Sequence, residues 1–252
     1  MKQDEALFQL LIRLADDHLV LGHRLSEWCG HAPTLEEDLS MPNMALDLIG
    51  QARNLYTYAG EVEGKGRDED AIAYLRTEGQ YQNLLLVERP NGDFAQTMLR
   101  QFYFAVFMEL FWQKAIASSD ETIAAIAAKA IKEIAYHIRH TAEWVIRLGD
   151  GTDESNRRMR EAVSELHRFT DEMFESDEVS STLVNAGVIG DPQDMKDAWT
   201  AEVTRVFAMA NLEVPEDYWP LLGGRSGDHG EAMGYLLADL QYMQRTYPGM
   251  TW

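Results

Sequence analysis

The chain has 252 residues, with 42 acidic and 22 basic side chains and a formal net charge of −20. A chain of this length buries roughly three-quarters of its unfolded surface and needs no staple to fold, while its negative field excludes nucleic acid and anionic membrane surfaces as partners. The single cysteine, Cys29, makes no internal disulfide and acid follows at Asp4 and Glu5; with no secretory signal and no apolar run of the ~18 residues a membrane helix needs, a cytoplasmic protein is expected.

From Asp4 onward, Leu7, Leu11, Leu14, His18, Leu21, Leu25 and Trp28 recur at spacings of four and three, a helix seam that stops at "CGHAP". A second helix opens around "TLEEDLSMP" and carries Ala45, Leu48, Ala52, Leu55 and Ala59 before "EGKG" ends it. A short helix is expected from Glu69 to Thr77, and "ERPNGD" reads as a turn. Phe94, Met98, Gln101, Ala105, Met108, Trp112 and Ala115 then repeat the seam. Ser119 and Asp120 are placed to cap a fourth long helix, Ile123 to Leu148, closed by "GDGTD".

Three more helices are expected, over Met159–Met173, Met195–Phe207 and Met233–Tyr247. No alternating strand pattern appears. The reading is one all-α domain over 1–252, a four-helix core at about 4–149 with further helices at about 155–247 packed against it. The loop "EVPEDYWPLLGGRSGDHG" carries Tyr218, Trp219, Leu221 and Leu222, which are expected to pack on the body, and its "GGRSGDHG" end reads as a flexible connector.

Long helices with polar residues on the seam invite comparison with a di-iron carboxylate bundle, which takes one Glu from each of two helices and Glu-x-x-His from each of the other two. The first helix offers Asp16, Asp17, His18 and Glu27 at no distinguishing spacing. On the second, the position three after Asp47 is Gly50; on the third only Glu109 is available; on the fourth, Tyr136 stands three after Glu133 where the histidine belongs. His137, one residue on, is turned about 100° around the helix axis. An intact six-ligand site is therefore not expected. Two polar lines remain, Asp47, Gln51, Asn54 and Tyr58 on one helix and Glu133, His137 and His140 on another, and facing each other they would form a hydrogen-bonded network that fixes helix register. The alternatives are solvated charges around a satisfied core histidine, or a di-metal carboxylate oxidase active in its own right with a non-standard set of Asp47, Glu109, Glu133, His137 and an acid of the first helix.

Other chemistry is thinner. His31, His167 and His229 have no Cys or His at ligand spacing and read as surface residues. Cys29 reads as a buried structural thiol. "GGRSGDHG" lacks the lysine of a phosphate-binding loop, and Arg157, Arg158 and Arg160 form the longest basic cluster, which a solvated helix face explains equally well.

Six phrases, "LSEWCGHAPTLEEDL", "LDLIGQARNLYTYAG", "NLLLVERPNGDFAQT", "KAIKEIAYHIRH", "RLGDGTDES" and "LLADLQYMQRTYPGMTW", resemble the C subunits of the bacterial multicomponent phenylacetyl-CoA epoxidases, from about residue 7 to the end. The resemblance implies a ferritin-like four-helix bundle with additional C-terminal helices, acting as a structural subunit with no catalytic, cofactor or metal residue of its own. It implies a homologous catalytic A subunit as partner, in a heterodimer or heterotetramer, holding the di-iron centre and the CoA thioester. An NADPH-dependent reductase and accessory subunits complete such a complex. Asp16, Glu27, Asp47, Glu109, Glu133, Tyr136 and His137 are then the candidates for a degenerate site. Such a subunit is expected to show a large apolar face to its partner, with Met108, Phe111 and Trp112 as candidate residues.

Overall fold

The computed structural model describes residues 1–250; Thr251 and Trp252, the end of the "GMTW" tail, lie outside the described residues. Among the described residues there are ten α-helices and no strand. They are α1 (Gln3–Ser26), α2 (Leu35–Glu63), α3 (Glu69–Tyr74), α4 (Leu85–Glu88), α5 (Phe94–Ala115), α6 (Glu121–Gly149), α7 (Asp153–Leu166), α8 (Glu178–Asn185), α9 (Lys196–Met209) and α10 (Glu231–Thr246).

The four long helices form two antiparallel hairpins, α1 with α2 and α5 with α6, joined by the crossover that holds α3 and α4. The starts are set by short polar side chains that satisfy free backbone N–H groups. Thr34 accepts from Glu37 N, Asp93 from Gln96 N, and Asp120 from Thr122 N and Ile123 N. Gly64 ends α2 with φ of 66°, a left-handed cap that a side chain would strain. Helix α2 runs through Pro42 and keeps its apolar stripe, Ala45, Leu48, Ala52, Leu55 and Ala59, buried.

The helices α1 and α5 are buried on nearly every face, as expected of helices that other elements cover on all sides. Helix α6 is amphipathic, with Ile123, Ala127, Ala130, Ile134, His137 and Thr141 inside and charge outside. The seams read for the four long helices are buried, with Trp28, Phe94 and Leu148 half-buried at their ends, whereas the seam of α10 ends on exposed Met243 and Tyr247. Helices α7 and α9 pack on α5 and α6, and α8 packs on α1. Among the described residues no helix is long and apolar enough to cross a membrane.

Several expectations need correction. The helix expected over Met159–Met173 stops at Leu166 and continues as two 3-10 turns, His167–Phe169 and Asp171–Phe174, because Phe169, Met173 and Phe174 turn inward on separate parts of the core. Trp219 and Leu222 do not pack; they are 79% and 46% exposed. Cys29 is exposed, since it falls in the turn just past the end of α1 and not on its seam. Met108, Phe111 and Trp112, offered above as surface, are at most 3% exposed because α5 lies at the centre of the bundle. Arg157 and Arg158 pair with Glu154 within α7, the solvated helix face.

Candidate functional site

The polar lines of α2 and α6 meet. Gln51 Nε2 donates to Glu133 Oε2 at 2.9 Å, and His137 Nε2 lies 3.1 Å from Asp47 Oδ2. Towards one end His140 Nε2 sits 2.9 Å from Glu37 Oε2, which Ser40 Oγ also reaches at 3.0 Å. Towards the other, the Tyr58 hydroxyl donates to Asp120, the cap of α6, at 2.6 Å. Asn54, expected in the line, is exposed and takes no part. This ladder of side-chain pairs fixes the register of α2 against α6, because a slip by one helical step unpairs every rung.

The carboxylates of the ladder sit at its wet edge: the side chain of Asp47 is 36% exposed and that of Glu133 is 22% exposed. What points to the bundle centre is different in kind. His18 from α1, Gln51 from α2, Gln101 from α5 and His137 from α6 are each at most 1% exposed, one polar side chain per helix. Gln101 Nε2 donates to His137 Nδ1 at 3.2 Å, so both ring nitrogens of His137 are occupied. His18 Nδ1 donates to the Leu14 carbonyl at 2.6 Å, and its ring packs against Phe104 and Trp112 at centroid distances of 5.4 and 6.1 Å.

A di-iron centre does not fit this donor set. Iron in such a bundle takes converging carboxylates and free imidazole nitrogens. Here the central level offers two carboxamides, one imidazole with both nitrogens engaged and, among the described residues, a single free imidazole nitrogen, the buried Nε2 of His18. The other acids on the di-iron comparison are elsewhere. Asp16, fully buried, is an ion-pair partner of Arg76, Glu27 pairs with Arg24 at 2.8 Å, and Glu109 has its carboxyl pushed up by burial and by Glu202 of α9. Tyr136 lies against the His140 ring, 5.6 Å between centroids. Among the described residues no three His, Cys, Asp or Glu side chains stand close enough to share a metal ion.

Burial pushes the His18 imidazole down to about 4, outweighing its bond to Leu14, and His167 moves the same way. A histidine held neutral in the fold takes up its proton on unfolding, so its contribution is complete above the ordinary value of 6.5 and is lost as pH falls from there towards 4. Lowering pH from 7 to 5 should therefore cost wild type about 2 kcal/mol more than it costs His18→Leu, by urea unfolding at the two pH values. Equal losses would mean that the imidazole is charged inside the bundle.

A second polar assembly ties the crossover and the last third of the chain to α1. Asp16 accepts from Arg76 Nη1 at 2.9 Å, the Tyr56 hydroxyl at 2.5 Å and Gln82 N at 2.8 Å. Asp17 accepts from Arg225 Nη2 and from Leu84 N, at 2.8 and 2.7 Å. Glu172 takes the N–H groups of Leu85, Gly223 and Arg225. The "GGRSGDHG" segment is thus clamped, not a flexible connector, and Gly224 sits so close to the Asn83 carbonyl that a Cβ there would collide.

His229 is not a surface residue either. Its side chain is inaccessible, between Glu88 Oε2 at 2.7 Å and the Tyr81 carbonyl at 3.0 Å. Burial opposes its charge, but the bonds to Glu88 and Tyr81 win and the imidazole is pushed up. His167 is 4% exposed, with Nδ1 3.3 Å from the Tyr103 hydroxyl. Arg76, Glu88, Glu172 and Arg225 carry no spacing signal in the sequence, since each meets partners from other elements.

The fold and this centre define the class: an all-α, ferritin-like bundle with carboxamide and imidazole groups buried between its four long helices. The chain belongs to the phenylacetic acid catabolic protein family, whose sequence profile matches residues 1–252. It is similar to the C subunit of the 1,2-phenylacetyl-CoA epoxidase of Escherichia coli (strain K12), at 47% identity over 241 residues that cover 96% of this chain and 97% of that protein.

Proposed function

We propose that this chain is the non-catalytic, structural subunit of a cytoplasmic phenylacetyl-CoA epoxidase in aerobic phenylacetate degradation. It supports a homologous A subunit that holds the di-iron centre, while an NADPH-dependent reductase is carried elsewhere in the complex. The observation that carries this reading is the donor set at the bundle centre: His18, Gln51, Gln101 and His137, with Asp47 and Glu133 turned to the edge and already hydrogen-bonded. Similarity to a protein named as one subunit of an epoxidase supports the subunit role.

The outer face of α2 supports a docking role. Leu35, Leu39 and Leu46 are 71%, 60% and 67% exposed, and their spacing of four and seven places them on one stripe. Three exposed leucines along one helix stripe offer an apolar surface that an assembly would cover. The occupant proposed is the A subunit. This face replaces the buried Met108, Phe111 and Trp112 as the contact surface.

Metal content tests the non-catalytic part. The chain expressed alone in iron-supplemented cells and analysed by plasma mass spectrometry should hold well under one iron per molecule, while the complex co-purified with the A subunit should hold about two for each pair, the count a di-iron bundle requires. Two irons on the isolated chain would instead support the oxidase reading.

A further inference from the structure

Most buried or half-buried arginines of this acid-rich chain have an acid partner: Arg13 pairs with Asp177, Arg76 with Asp16 and Arg225 with Asp17. One groove differs. A cavity of about 480 Å³ beside the start of α5 is lined by Arg89 and Arg168, with Leu166, Phe169 and Leu221 as apolar lining. Arg168 Nε is buried and has no hydrogen-bond partner among the described residues. The Arg89 guanidinium stacks on the Phe169 ring, 4.9 Å from its centroid, which holds it in place without neutralising it. The one acid in the lining, Glu165, accepts from Gln96 Nε2 at 2.9 Å.

Against the Arg89 backbone, Arg100 is 1% exposed and donates to the Arg89 carbonyl and to Asn91 Oδ1, both uncharged acceptors; its Nε is buried and unpartnered among the described residues. Burial, reinforced by Arg24 and Arg89 and only partly opposed by Glu27, pulls it down to about 9, so it remains charged at neutral pH. Two guanidinium groups thereby line one concave site with Glu165 as its one carboxylate, and a third, Arg100, abuts the Arg89 backbone, with Glu27 reaching its side only through Asn91. Buried positive charge calls for a counter-charge, and in a chain with 42 acidic residues the only acid lining this groove among the described residues is Glu165. The distant acids do not substitute, since at physiological salt their field is screened over about 8 Å.

We propose that this groove binds a phosphate group carried by a small organic molecule, with Arg89 and Arg168 as its direct ligands and Arg100 as the buried charge against the Arg89 backbone. The planar guanidinium fork matches a phosphate oxyanion in geometry as well as charge. The apolar lining and a volume within the roughly 300–1,000 Å³ of small-molecule sites favour an organic phosphate over the free ion. The inference is independent of the structural-subunit reading, because none of its residues belongs to the α2 stripe or to the polar centre of the bundle.

Isothermal titration calorimetry of the full chain with adenosine 3′,5′-bisphosphate and, separately, with inorganic phosphate tests it. The bisphosphate should bind, inorganic phosphate more weakly, and Arg168→Gln and Arg89→Gln should each weaken bisphosphate binding roughly tenfold or more, as loss of a charge-assisted contact implies. Arg168→Lys, which keeps charge and fold but loses the fork, should fall between. Each variant's melting curve is recorded, so a folding defect is recognised. No binding at millimolar bisphosphate, or equal affinity in wild type and in folded variants, overturns the proposal. Inorganic phosphate binding as tightly as the bisphosphate overturns its organic part.

Discussion

Arg76→Met should lower the unfolding free energy by about 3–5 kcal/mol, the range for removing one partner of a buried ion pair. Asp16 is fully buried, and Arg76 reaches it with both terminal nitrogens while its Nε donates to the Ile72 carbonyl and Nη1 also to the Gln80 carbonyl. A methionine fills much of the same space, so the loss is mainly electrostatic. Tyr56 and the Gln82 N–H remain on the carboxylate, but neither carries charge. For a chain of this size the loss corresponds to a fall in Tm of roughly 10–15 °C.

Asp16→Leu on top of Arg76→Met should recover part of that loss, since it removes the stranded charge; the recovery separates electrostatics from packing. The measurement is urea unfolding of the two single variants and the double. A loss below about 1 kcal/mol for Arg76→Met would mean that Asp16 takes up a proton in the fold instead of relying on arginine.

Leu39→Asp combined with Leu46→Asp should abolish co-purification with the A subunit while leaving the melting curve of the isolated chain unchanged. Both leucines are more than half exposed, so acid there costs the monomer little. In the proposed complex the same acids would be desolvated without a partner, at several kcal/mol apiece, and a few such kilocalories change affinity by orders of magnitude. A control places charge on a different exposed apolar residue, Tyr242 of α10, 58% exposed. Retained complex in the leucine double variant, with loss in Tyr242→Asp, would move the docking face from α2 to α10.

The non-catalytic reading and the docking face rest on different residues, and their tests separate accordingly. Metal content reads the centre formed by His18, Gln51, Gln101 and His137; co-purification reads the outer face of α2. Failure of one leaves the other standing.

Much of this fold follows from the sequence alone, for a local reason. The seam at spacings of three and four in α1, α2, α5 and α6 is the buried stripe in each, and Thr34, Asp93 and Asp120 cap their helices through backbone groups two or three residues away. Gly50 and Tyr136 stand where a Glu-x-x-His pattern puts its histidines, and that too is visible in the sequence. Part of the polar ladder was legible, since Asp47 and Gln51 share one face of their helix and Glu133 and His137 share one face of theirs. The burial of His167 and His229, the exposure of Cys29 and Trp219, and the clamp on "GGRSGDHG" were not.

These belong to tertiary structure, because their partners lie far away in sequence and no periodicity links them. Asp16 meets Arg76, Asp17 meets Arg225 and Glu88 meets His229, with the last two pairs separated by more than half of the chain. The unpaired arginines show the same thing from the other side. Arg89 and Arg168 look ordinary in the sequence and come to share one groove only when the turn after α7 packs against the start of α5. Helix position follows from local spacing, whereas the pairing of charges is decided only when packing removes water and each buried group must find its counterpart nearby.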